Sequence, residues 1–346
     1  MPINLFKLPR LVGALVVAEM NYQEIFLLSL CSRRTYSLVK KANIKVPKLE
    51  FRFDDFHGCD KFEVRVVTNT QKWLPVTSLL HVPELKLETI LSVRLGLDYV
   101  ADTNFCLWRK KGGTFRHRME CANEPIAIQK AIQDHLNSIF HYSETNQLYL
   151  SMKCKGSLPN ITNVGEIEIK HKNVDPQFLT NVLTTYPDHY TISVVSRIVG
   201  EIPKESPFFQ IQNIQVMFLC GPDYFHNFVG RNMRLDWVVL TDQDLIQVLQ
   251  KWISNEAYEN LVSLSLSIAN TINADLIRQT IEFEEYDPNE SEKRPADYVI
   301  DIPYTNFFNH KYSLKEAFVE IKRITDGKRA FLSVGATHFD LLVDTN

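Results

Sequence analysis

The stretch Leu5-Phe6-Lys7-Leu8-Pro9-Arg10-Leu11-Val12-Gly13-Ala14-Leu15 decides how the chain begins to fold. Pro9 suits the first turn of a helix, because the N–H that proline lacks would have no intrahelical partner there. We therefore predict a first helix from about Pro9 to Met20. Residues 24–40 are apolar around most of a helical circumference, so a helix there needs partners on two sides. So short a segment cannot bury all this surface alone, and we expect another protein to cover part of it.

These residues resemble an F-box, the small helical module that docks the adaptor subunit of SCF (Skp–cullin–F-box) ubiquitin ligases. The resemblance is carried by Leu8-Pro9, by the apolar spacing of Val12, Leu15, Met20 and Ile25, and by residues 27–34, Leu-Leu-Ser-Leu-Cys-Ser-Arg-Arg, which look like the nematode version of the box. It implies that the chain binds an adaptor subunit and, through it, a cullin.

The resemblance also implies a set of adaptor-binding residues on the predicted helices. They are Leu8, Pro9, Val12, Leu15, Met20, Ile25, Leu28, Leu30, Cys31, Arg33 and Tyr36. Two positions depart from the family: Gly13 stands where an acidic or larger residue is usual, and Tyr36 stands where many F-boxes have tryptophan. Glycine weakens a helix by roughly 1 kcal/mol relative to alanine, which would lower the affinity for an adaptor.

Two other interpretations of this segment stay open: a secretory signal, and an ordinary helical cap on a larger core. A signal would use Lys7 and Arg10 as its basic end and residues 11–18 as its apolar stretch. Against it, Glu19 ends the apolar run and no small-x-small cleavage site follows. A membrane-spanning helix needs roughly 20 consecutive apolar residues, and the sequence has no such run.

Charge is divided unevenly along the chain. Residues 1–46 carry seven Lys or Arg against two Glu, which gives +5, and since the 346 residues together carry −3, the remainder carries −8. An acidic body argues against a broad nucleic-acid surface. The basic first segment suits an acidic partner or, equally, a solvated helix face. With 45% hydrophobic residues, the chain suits one small module and one large soluble domain.

Catalytic and metal-binding motifs are absent from the sequence. It contains no G-x-G-x-x-G, Walker loop, H-E-x-x-H or G-x-S-x-G. The six cysteines form no C-x-x-C pair and are expected to be buried, reduced thiols, as in the cytoplasm or nucleus. His135, His141 and His226 are expected to be packed or surface residues. We predict no catalytic residue, no metal and no cofactor; an enzyme with an unrecognised site stays an alternative.

Residues 47–125 are predicted to form a hairpin-rich connecting region. Pro47 marks its start, since the residue before a proline is pushed out of the helical region. Residues 49–53 and 62–67 alternate apolar with polar side chains around a turn at 54–60, which predicts a hairpin with one buried face. A second strand pair is predicted at 92–100 and 104–109, with Lys111-Gly112-Gly113 as a turn.

From residue 126 onward a pattern of strands and helices repeats. A helix at 126–140, with Ile128, Ile132, Leu136 and Ile139 on one face, is followed by predicted strands at 147–152, 166–170, 190–195, 214–218, 233–237 and 261–266. The spacing is close to the period of leucine-rich-repeat solenoids. The period is irregular, however, and the sequence indicates no asparagine ladder of the kind that ideal leucine-rich repeats have.

An internal alignment supports the repeat. Residues 174–183 superpose on residues 240–249 at a constant offset of 66, and each segment follows a predicted strand. Asp175, and either Thr241 or Asp242, are good N-caps for the helices that begin there, while Pro176 suits a first helical position.

Residues 147–266 also resemble the F-box-associated domain (type 2) that follows nematode F-boxes. The residues that carry this resemblance are 161–164, 173–175, 178–179, 240–245, 251–253 and 259–261. The resemblance implies a substrate-recognition subunit whose C-terminal region selects proteins for ubiquitin-dependent degradation, with a cytoplasmic or nuclear location and no nucleic-acid or membrane partner. The alternative is a non-ligase interaction scaffold in which the F-box-like helices are a structural cap.

The last eighty residues complete the predicted α/β fold. We predict an acidic loop at 282–297, a helix at 313–325, a turn at 326–328, and strands at 330–334 and 339–343 whose hairpin closes the open end of the repeats. The four tryptophans, Trp73, Trp108, Trp237 and Trp252, are predicted to lie in the core, with anchoring of a partner protein as the alternative. The predicted organisation is a helical F-box (1–46), the connecting region (47–125) and an irregular leucine-rich-repeat-like domain (126–346).

Overall fold

The structure is a computed structural model that describes most of the chain. The described residues are 7–56, 59–68, 72–96, 99–109, 115–122, 124–142, 145–151, 158–285, 294–300, 311–314 and 318–345. The chain divides into two compact units, Met1–Glu166 and Ile167–Asn346. Helix and strand content together confirm the predicted α/β class.

Among the described residues of the first unit, three short helices come first and a longer one follows the hairpins. They are α1 (Arg10–Ala18), α2 (Tyr22–Cys31), α3 (Arg33–Lys41) and α4 (Pro125–Ile139). The first helix is present as predicted, although Pro9 is its N-cap and not its first helical residue. Helix α4, with which the predicted repeat domain begins, lies within the first unit.

The prediction of a single helix over residues 24–40 is wrong, because one helix ends and another begins at Ser32. The backbone of Ser32 is extended, with φ −167° and ψ 164°. Its hydroxyl oxygen accepts the N–H of Thr35 at 3.1 Å, and the Thr35 hydroxyl oxygen accepts the N–H of Ser32 at 2.9 Å. This reciprocal capping box starts a new helix at Arg33.

The described residues of the first unit also contain nine strands. They are β1 (Ile44–Lys45), β2 (Lys48–Phe56), β3 (Cys59–Val67), β4 (Trp73–His81), β5 (Ile90–Leu95), β6 (Tyr99–Arg109), β7 (Phe115–Cys121), β8 (Phe140–His141) and β9 (Asn146–Leu150). Seven of them run in the order β9-β2-β3-β4-β7-β6-β5, and β1 pairs with β8 in parallel.

The hairpin predicted after Pro47 is confirmed as β2 and β3. Its pairing extends from Lys48↔Val67 to Phe56↔Cys59, so the connection is shorter than the predicted turn at 54–60, and residues 57–58 lie outside the described part. The second predicted pair is present as β5 and β6, which are antiparallel, with Leu95↔Tyr99 nearest their connection. This connection falls inside the predicted strand 92–100, so the bounds predicted for the pair are wrong. The predicted turn at 111–113 lies outside the described residues.

The core of the first unit combines the predicted face of α4 with the inner side of the sheet. Ile128, Ile132, Leu136 and Ile139 are all fully buried, which confirms that face. Lys48 and Glu166 form a buried ion pair, with 2.5 Å between Nζ and Oε1. Removing one member of such a pair typically costs 3–5 kcal/mol, because the other charge stays buried without it.

The second unit contains the parallel strands that the repeat predicted. Its strands are β10 (Val164–Ile169, which spans the division), β11 (Asn173–Val174), β12 (Thr191–Val194), β13 (Arg197–Ile198), β14 (Asn213–Val216), β15 (Asn232–Val238), β16 (Ser263–Ile268), β17 (Asp297–Val299), β18 (Lys311–Ser313), β19 (Val319–Lys322), β20 (Arg329–Val334) and β21 (His338–Val343). Strands β12, β14, β15 and β16 pair in parallel, and β16, β21, β20 and β19 pair antiparallel. The predicted closing hairpin is β20 and β21.

Helices of the second unit confirm the internal alignment. They are α5 (Pro176–Thr185), α6 (Asp223–His226), α7 (Asp242–Ile253) and α8 (Ala274–Gln279). The Asp175 carboxylate caps α5 by accepting the N–H of Phe178 at 2.8 Å. Thr241 caps α7 by accepting the N–H of Asp244 at 3.3 Å, and the Asp244 carboxylate accepts the N–H of Thr241 at 2.7 Å. The two helices thus begin at equivalent positions of the alignment.

A ladder of buried polar side chains crosses the parallel strands, contrary to the expectation that no such ladder exists. Asn213 Nδ2 donates to Thr191 Oγ1 at 3.0 Å, Asn232 Nδ2 donates to Asn213 Oδ1 at 2.8 Å, and Ser263 Oγ donates to Asn232 Oδ1 at 2.7 Å. The four residues are direct neighbours in the sheet register. Two of the four positions are threonine and serine, so a search of the sequence for asparagine alone would not have found the ladder.

The helix predicted at 313–325 is wrong over its described residues. Residues 319–322 form strand β19, paired antiparallel with β20, and residues 315–317 lie outside the described part. The Arg329 guanidinium donates from Nε and Nη2 to the two carboxylate oxygens of Glu320, at 2.9 Å each. This bidentate pair and the burial of Val319 and Ile321 favour the strand over an isolated helix.

Three of the four tryptophans lie at the surface, which corrects their predicted place in the core. Trp252 is fully buried, whereas Trp73, Trp108 and Trp237 are exposed. Trp237 sits at an irregularity in the pairing of β15 with β16 and has φ +66°, so the local backbone turns its side chain away from the regular pleat.

The predicted burial of the cysteines holds for two of those described. Cys121 and Cys220 are buried, Cys59 and Cys106 are half-buried, and Cys31 is exposed; the five described cysteines form no disulfide, and Cys154 lies outside the described residues.

Candidate functional site

The most exposed apolar surface of the three-helix segment is one face of α1. Leu11 is 74% exposed and Leu15 is 60% exposed, and Val12 and Val16 beside them are exposed as well. Leu11 and Leu15 are four positions apart, as are Val12 and Val16, and Val12 and Leu15 are three apart. The four side chains therefore form a single stripe along the helix. Val17 points away from the stripe and is fully buried. A helix that exposes its apolar stripe in this way presents a surface for another molecule.

Helix α2 is fixed to the body of the first unit, where it contacts β4 and β5. Ile25 and Phe26 are buried. The ring of His135, on α4, lies 5.7 Å from the Phe26 ring, edge to face. Ile25, which the sequence analysis placed among the adaptor-binding residues, therefore belongs to the core, and its side chain is not available at the surface.

His135 links α2 to the rest of the first unit through both of its ring nitrogens. The N–H of Gly96 donates to Nδ1 at 2.8 Å, so Nε2 carries the proton and lies 2.7 Å from Ser29 Oγ. Ser29 Oγ in turn donates to the carbonyl oxygen of Phe26. Burial lowers the pKa of His135 to about 4, so the ring is neutral at pH 7 and the network is complete.

The other predicted adaptor-binding residues are spread over several environments in the same unit. Pro9, Val12, Leu15, Cys31 and Arg33 are exposed, and Leu8, Met20, Leu28, Leu30 and Tyr36 are half-buried. The Tyr36 hydroxyl donates to Ser138 Oγ at 2.8 Å, so this side chain is already engaged with α4. The structure thus brings Val12 and Leu15 together on one face but directs Ile25 and Tyr36 inward.

Two residues of the exposed face, Leu11 and Val16, are missing from the set that the sequence predicted. The signal was present, because Leu11 lies four positions before Leu15 and Val16 lies four positions after Val12. These two positions lie outside the F-box spacing, but they share a face of α1 with Leu15 and Val12.

The described residues offer no candidate for a metal-ligating cluster or for a membrane-crossing helix. No cluster of three or more His, Cys, Asp or Glu side chains occurs among the described residues. No helix among them has the length and apolarity needed to cross a membrane. Of the predicted histidines, His135 is buried, His141 is exposed and His226 is half-buried, with Nε2 3.5 Å from the Asp244 carboxylate.

Comparison with known proteins identifies the helical segment. A protein-family model described as the F-box domain matches residues 5–47. This region contains α1, α2 and α3, and with them the exposed apolar face. Residues 5–47 are therefore an F-box domain. No curated protein and no solved structure matches the chain.

Proposed function

We propose that residues 5–47 dock the adaptor subunit of an SCF-type ubiquitin ligase, and through it a cullin, by means of the apolar face of α1. The observation that carries the proposal is the exposure of Leu11, Val12, Leu15 and Val16 within a segment that matches the F-box. Burying a fully exposed leucine or valine contributes about 1.5–3 kcal/mol. The four side chains are 37–74% exposed, so a partner that covers them gains part of that amount at each.

The basic charge of the segment supports the same assignment. Residues 1–46 carry +5 in an acidic chain, and Arg33, Arg34, Lys40 and Lys41 are all exposed. An acidic partner would be attracted to this end of the chain, and its association would be faster at low salt. Anchoring of α2 through Ser29 and His135 keeps the helices in place against the body while the partner binds.

In this proposal the remainder of the chain holds a target protein, and the chain itself is a non-catalytic receptor. The resemblance to the F-box-associated domain (type 2) of nematode proteins supports this role. Catalysis would come from proximity, since a target held near a ubiquitin-charged enzyme experiences a raised effective concentration. The outcome would be ubiquitin-dependent degradation of the target in the cytoplasm or nucleus.

Co-purification of the full chain with an SCF adaptor tests the proposal. The variant Leu11→Asp/Leu15→Asp introduces two charges into the proposed interface and should abolish capture of the adaptor, because each carboxylate would be buried without a partner. The control is Leu87→Asp, which alters a leucine that is 86% exposed and lies outside the F-box.

We expect the wild type and the Leu87→Asp variant to capture the adaptor equally, and circular dichroism to show all three proteins folded. Equal capture by the Leu11→Asp/Leu15→Asp variant would overturn the role of α1. Failure of the folded wild type to bind any adaptor would favour the scaffold alternative, in which the helices only cap the fold.

A further inference from the structure

Two adjoining cavities of the first unit form a groove beside α2. One has a volume of about 410 Å³ and the other about 690 Å³. Both are lined by Gln23 of α2, Pro75 of β4, and Arg116 and His117 of β7, so they are continuous with each other. We call them together the α2 groove.

The smaller cavity is lined by more cationic than anionic side chains. Its walls carry four cationic side chains and one carboxylate: Lys61, Arg65, Arg116, Arg118 and Glu63. Burial disfavours the ionised form of Glu63, but hydrogen bonds from Arg65 and Lys61 outweigh it and hold the Glu63 pKa at about 2. Arg118 pairs with Glu120 at 3.0 Å. Arg116 has no ion pair within the described part of the chain, and it lines both cavities. The cavity therefore keeps an excess of positive charge at pH 7.

Aromatic and aliphatic side chains give the groove its apolar part. Trp73 and Trp108, both exposed, flank the cationic cavity, and the Arg118 guanidinium lies 5.9 Å from the centre of the Trp108 ring. The larger cavity is lined mainly by apolar groups: Met20, Tyr22, Leu27, Leu74, Pro75 and Leu107. Tryptophan and arginine, which lie side by side here, are among the side chains that most often anchor a protein partner.

A buried polar atom that lacks a partner lies between the two cavities. His117 lines both of them and is only 3% exposed. Its Nε2 lies 3.0 Å from Thr77 Oγ1, but its Nδ1 has no hydrogen-bond partner in the described structure. A buried polar atom without a partner carries a free-energy cost that a bound ligand could remove.

We propose that the α2 groove binds an acidic segment of a target protein that also carries a large apolar side chain. The cationic cavity takes the carboxylates, the larger cavity takes the apolar side chain, and His117 Nδ1 pairs with the backbone of the segment. A carboxylate-bearing peptide satisfies both the excess charge and the apolar walls, whereas nucleic acid would leave Leu74 and Leu107 without an apolar partner. The inference rests on the proposed function only in identifying the bound protein as a ligase target.

The first experiment selects peptides from a random library displayed on phage, with the full chain as bait. Peptides retained by the wild type and not by an Arg116→Glu variant should be enriched in Asp or Glu next to Leu, Phe or Trp. The best such peptide is then labelled, and its dissociation constant is measured by fluorescence anisotropy at low and at physiological salt.

We expect Arg116→Glu to weaken binding of the labelled peptide by about tenfold or more, and Arg116→Gln by less, since charge reversal adds repulsion to the loss of attraction. The matched control is Lys45→Glu, which makes the same change of net charge at an exposed residue outside the groove. Replacing the acidic residues of the peptide by glutamine should weaken binding, and higher salt should weaken it as well.

Adaptor capture, measured in parallel, separates this inference from the proposed function. Loss of peptide binding with intact capture in the folded Arg116→Glu variant supports the groove as a separate site. The inference is overturned if selection enriches no acidic peptides, if Lys45→Glu is as damaging as Arg116→Glu, or if the adaptor displaces the peptide. The last result would make the groove part of the adaptor interface.

Discussion

Helices α1 and α7 are both amphipathic, yet their apolar faces meet different surroundings. Helix α7 buries Leu245, Leu249 and Trp252 in the second unit, whereas α1 leaves Leu11 and Leu15 largely in water. Apolar surface stabilises a fold only when it is removed from water. The apolar face of α7 therefore contributes to the stability of its own unit, and that of α1 remains for a partner.

The N-terminus of α7 is also better stabilised than that of α1. A capping box between Thr241 and Asp244 fixes the first turn of α7. Helix α1 begins after Pro9 with no hydrogen bond from a capping side chain. Local sequence thus specifies α7 more strongly than α1, and a partner that covers α1 would also stabilise its helical form. Three pairs of variants test this contrast.

The largest effect is expected from Trp252→Ala in α7. Trp252 is fully buried, and the Arg323 guanidinium lies 4.9 Å from the centre of its ring. Truncating a buried tryptophan costs about 3–5 kcal/mol, because it loses apolar burial and leaves a cavity. Urea denaturation should show this loss in the free energy of unfolding. Leu15→Ala, in the exposed face of α1, should change the free energy by about 0.5 kcal/mol or less.

Equal losses in the two variants would contradict the comparison. They would mean that the α1 face is covered within the chain itself, and the proposed adaptor interface would lose its physical basis.

The elements that the sequence predicted well are those with local signals. The offset between residues 174–183 and 240–249 located two helices, and Asp175 and Thr241 each supply the predicted cap. The apolar periodicity of α4 predicted its buried face, with Ile128 and Leu136 inside. Such features depend on neighbours within a few residues, so a single sequence contains them.

The elements that the sequence predicted badly depend on distant residues. Residues 319–322 have a helical appearance in the sequence, but they form a strand because they pair with β20. The ion pair between Glu320 and Arg329 joins the two strands. Trp237 is apolar and was placed in the core, whereas an irregularity in the pairing of β15 exposes it. In both cases tertiary contacts override local preference.

The candidate site was predicted in part. The pattern around Leu8-Pro9 located the F-box, and the match to residues 5–47 confirms it. Which F-box residues face outward was not evident, because Ile25 and Leu15 are both apolar and only packing of the body distinguishes them. The α2 groove was not foreseen either, since it joins residues of α2 with strands more than thirty positions away in the sequence.

A smaller effect on the free energy of unfolding is expected from protonation of His135. His135 has a pKa of about 4 in the folded protein, against about 6.5 when unfolded. Between these values the unfolded chain binds the extra proton, so the free energy of unfolding falls as the pH drops from 6.5 towards 4. The contribution is about 1.4 kcal/mol per pH unit and roughly 3 kcal/mol over the whole interval.

Urea denaturation of wild type and His135→Gln between pH 7.5 and 4.5 tests this. We expect the difference in stability between the two proteins to shrink as the pH falls, since the variant lacks the titrating ring. The control is His141→Gln, which replaces a histidine at an exposed position and leaves the contacts of His135 in place. Parallel pH curves for wild type and His135→Gln would show that His135 does not couple α2 to protonation.

The smallest effect is expected from the cap of α7. Thr241→Ala removes the hydroxyl oxygen that accepts the N–H of Asp244 and should lower the free energy of unfolding by about 1 kcal/mol. Thr184→Ala in α5 is the matched control, because that exposed hydroxyl donates back to the Thr180 carbonyl oxygen inside a helix and caps nothing. Alanine has the higher helix propensity there, so this variant should be unchanged or more stable by a few tenths of a kcal/mol. If both threonines behave alike in urea denaturation, the capping box does not distinguish α7 from α1, and only burial of the apolar face does.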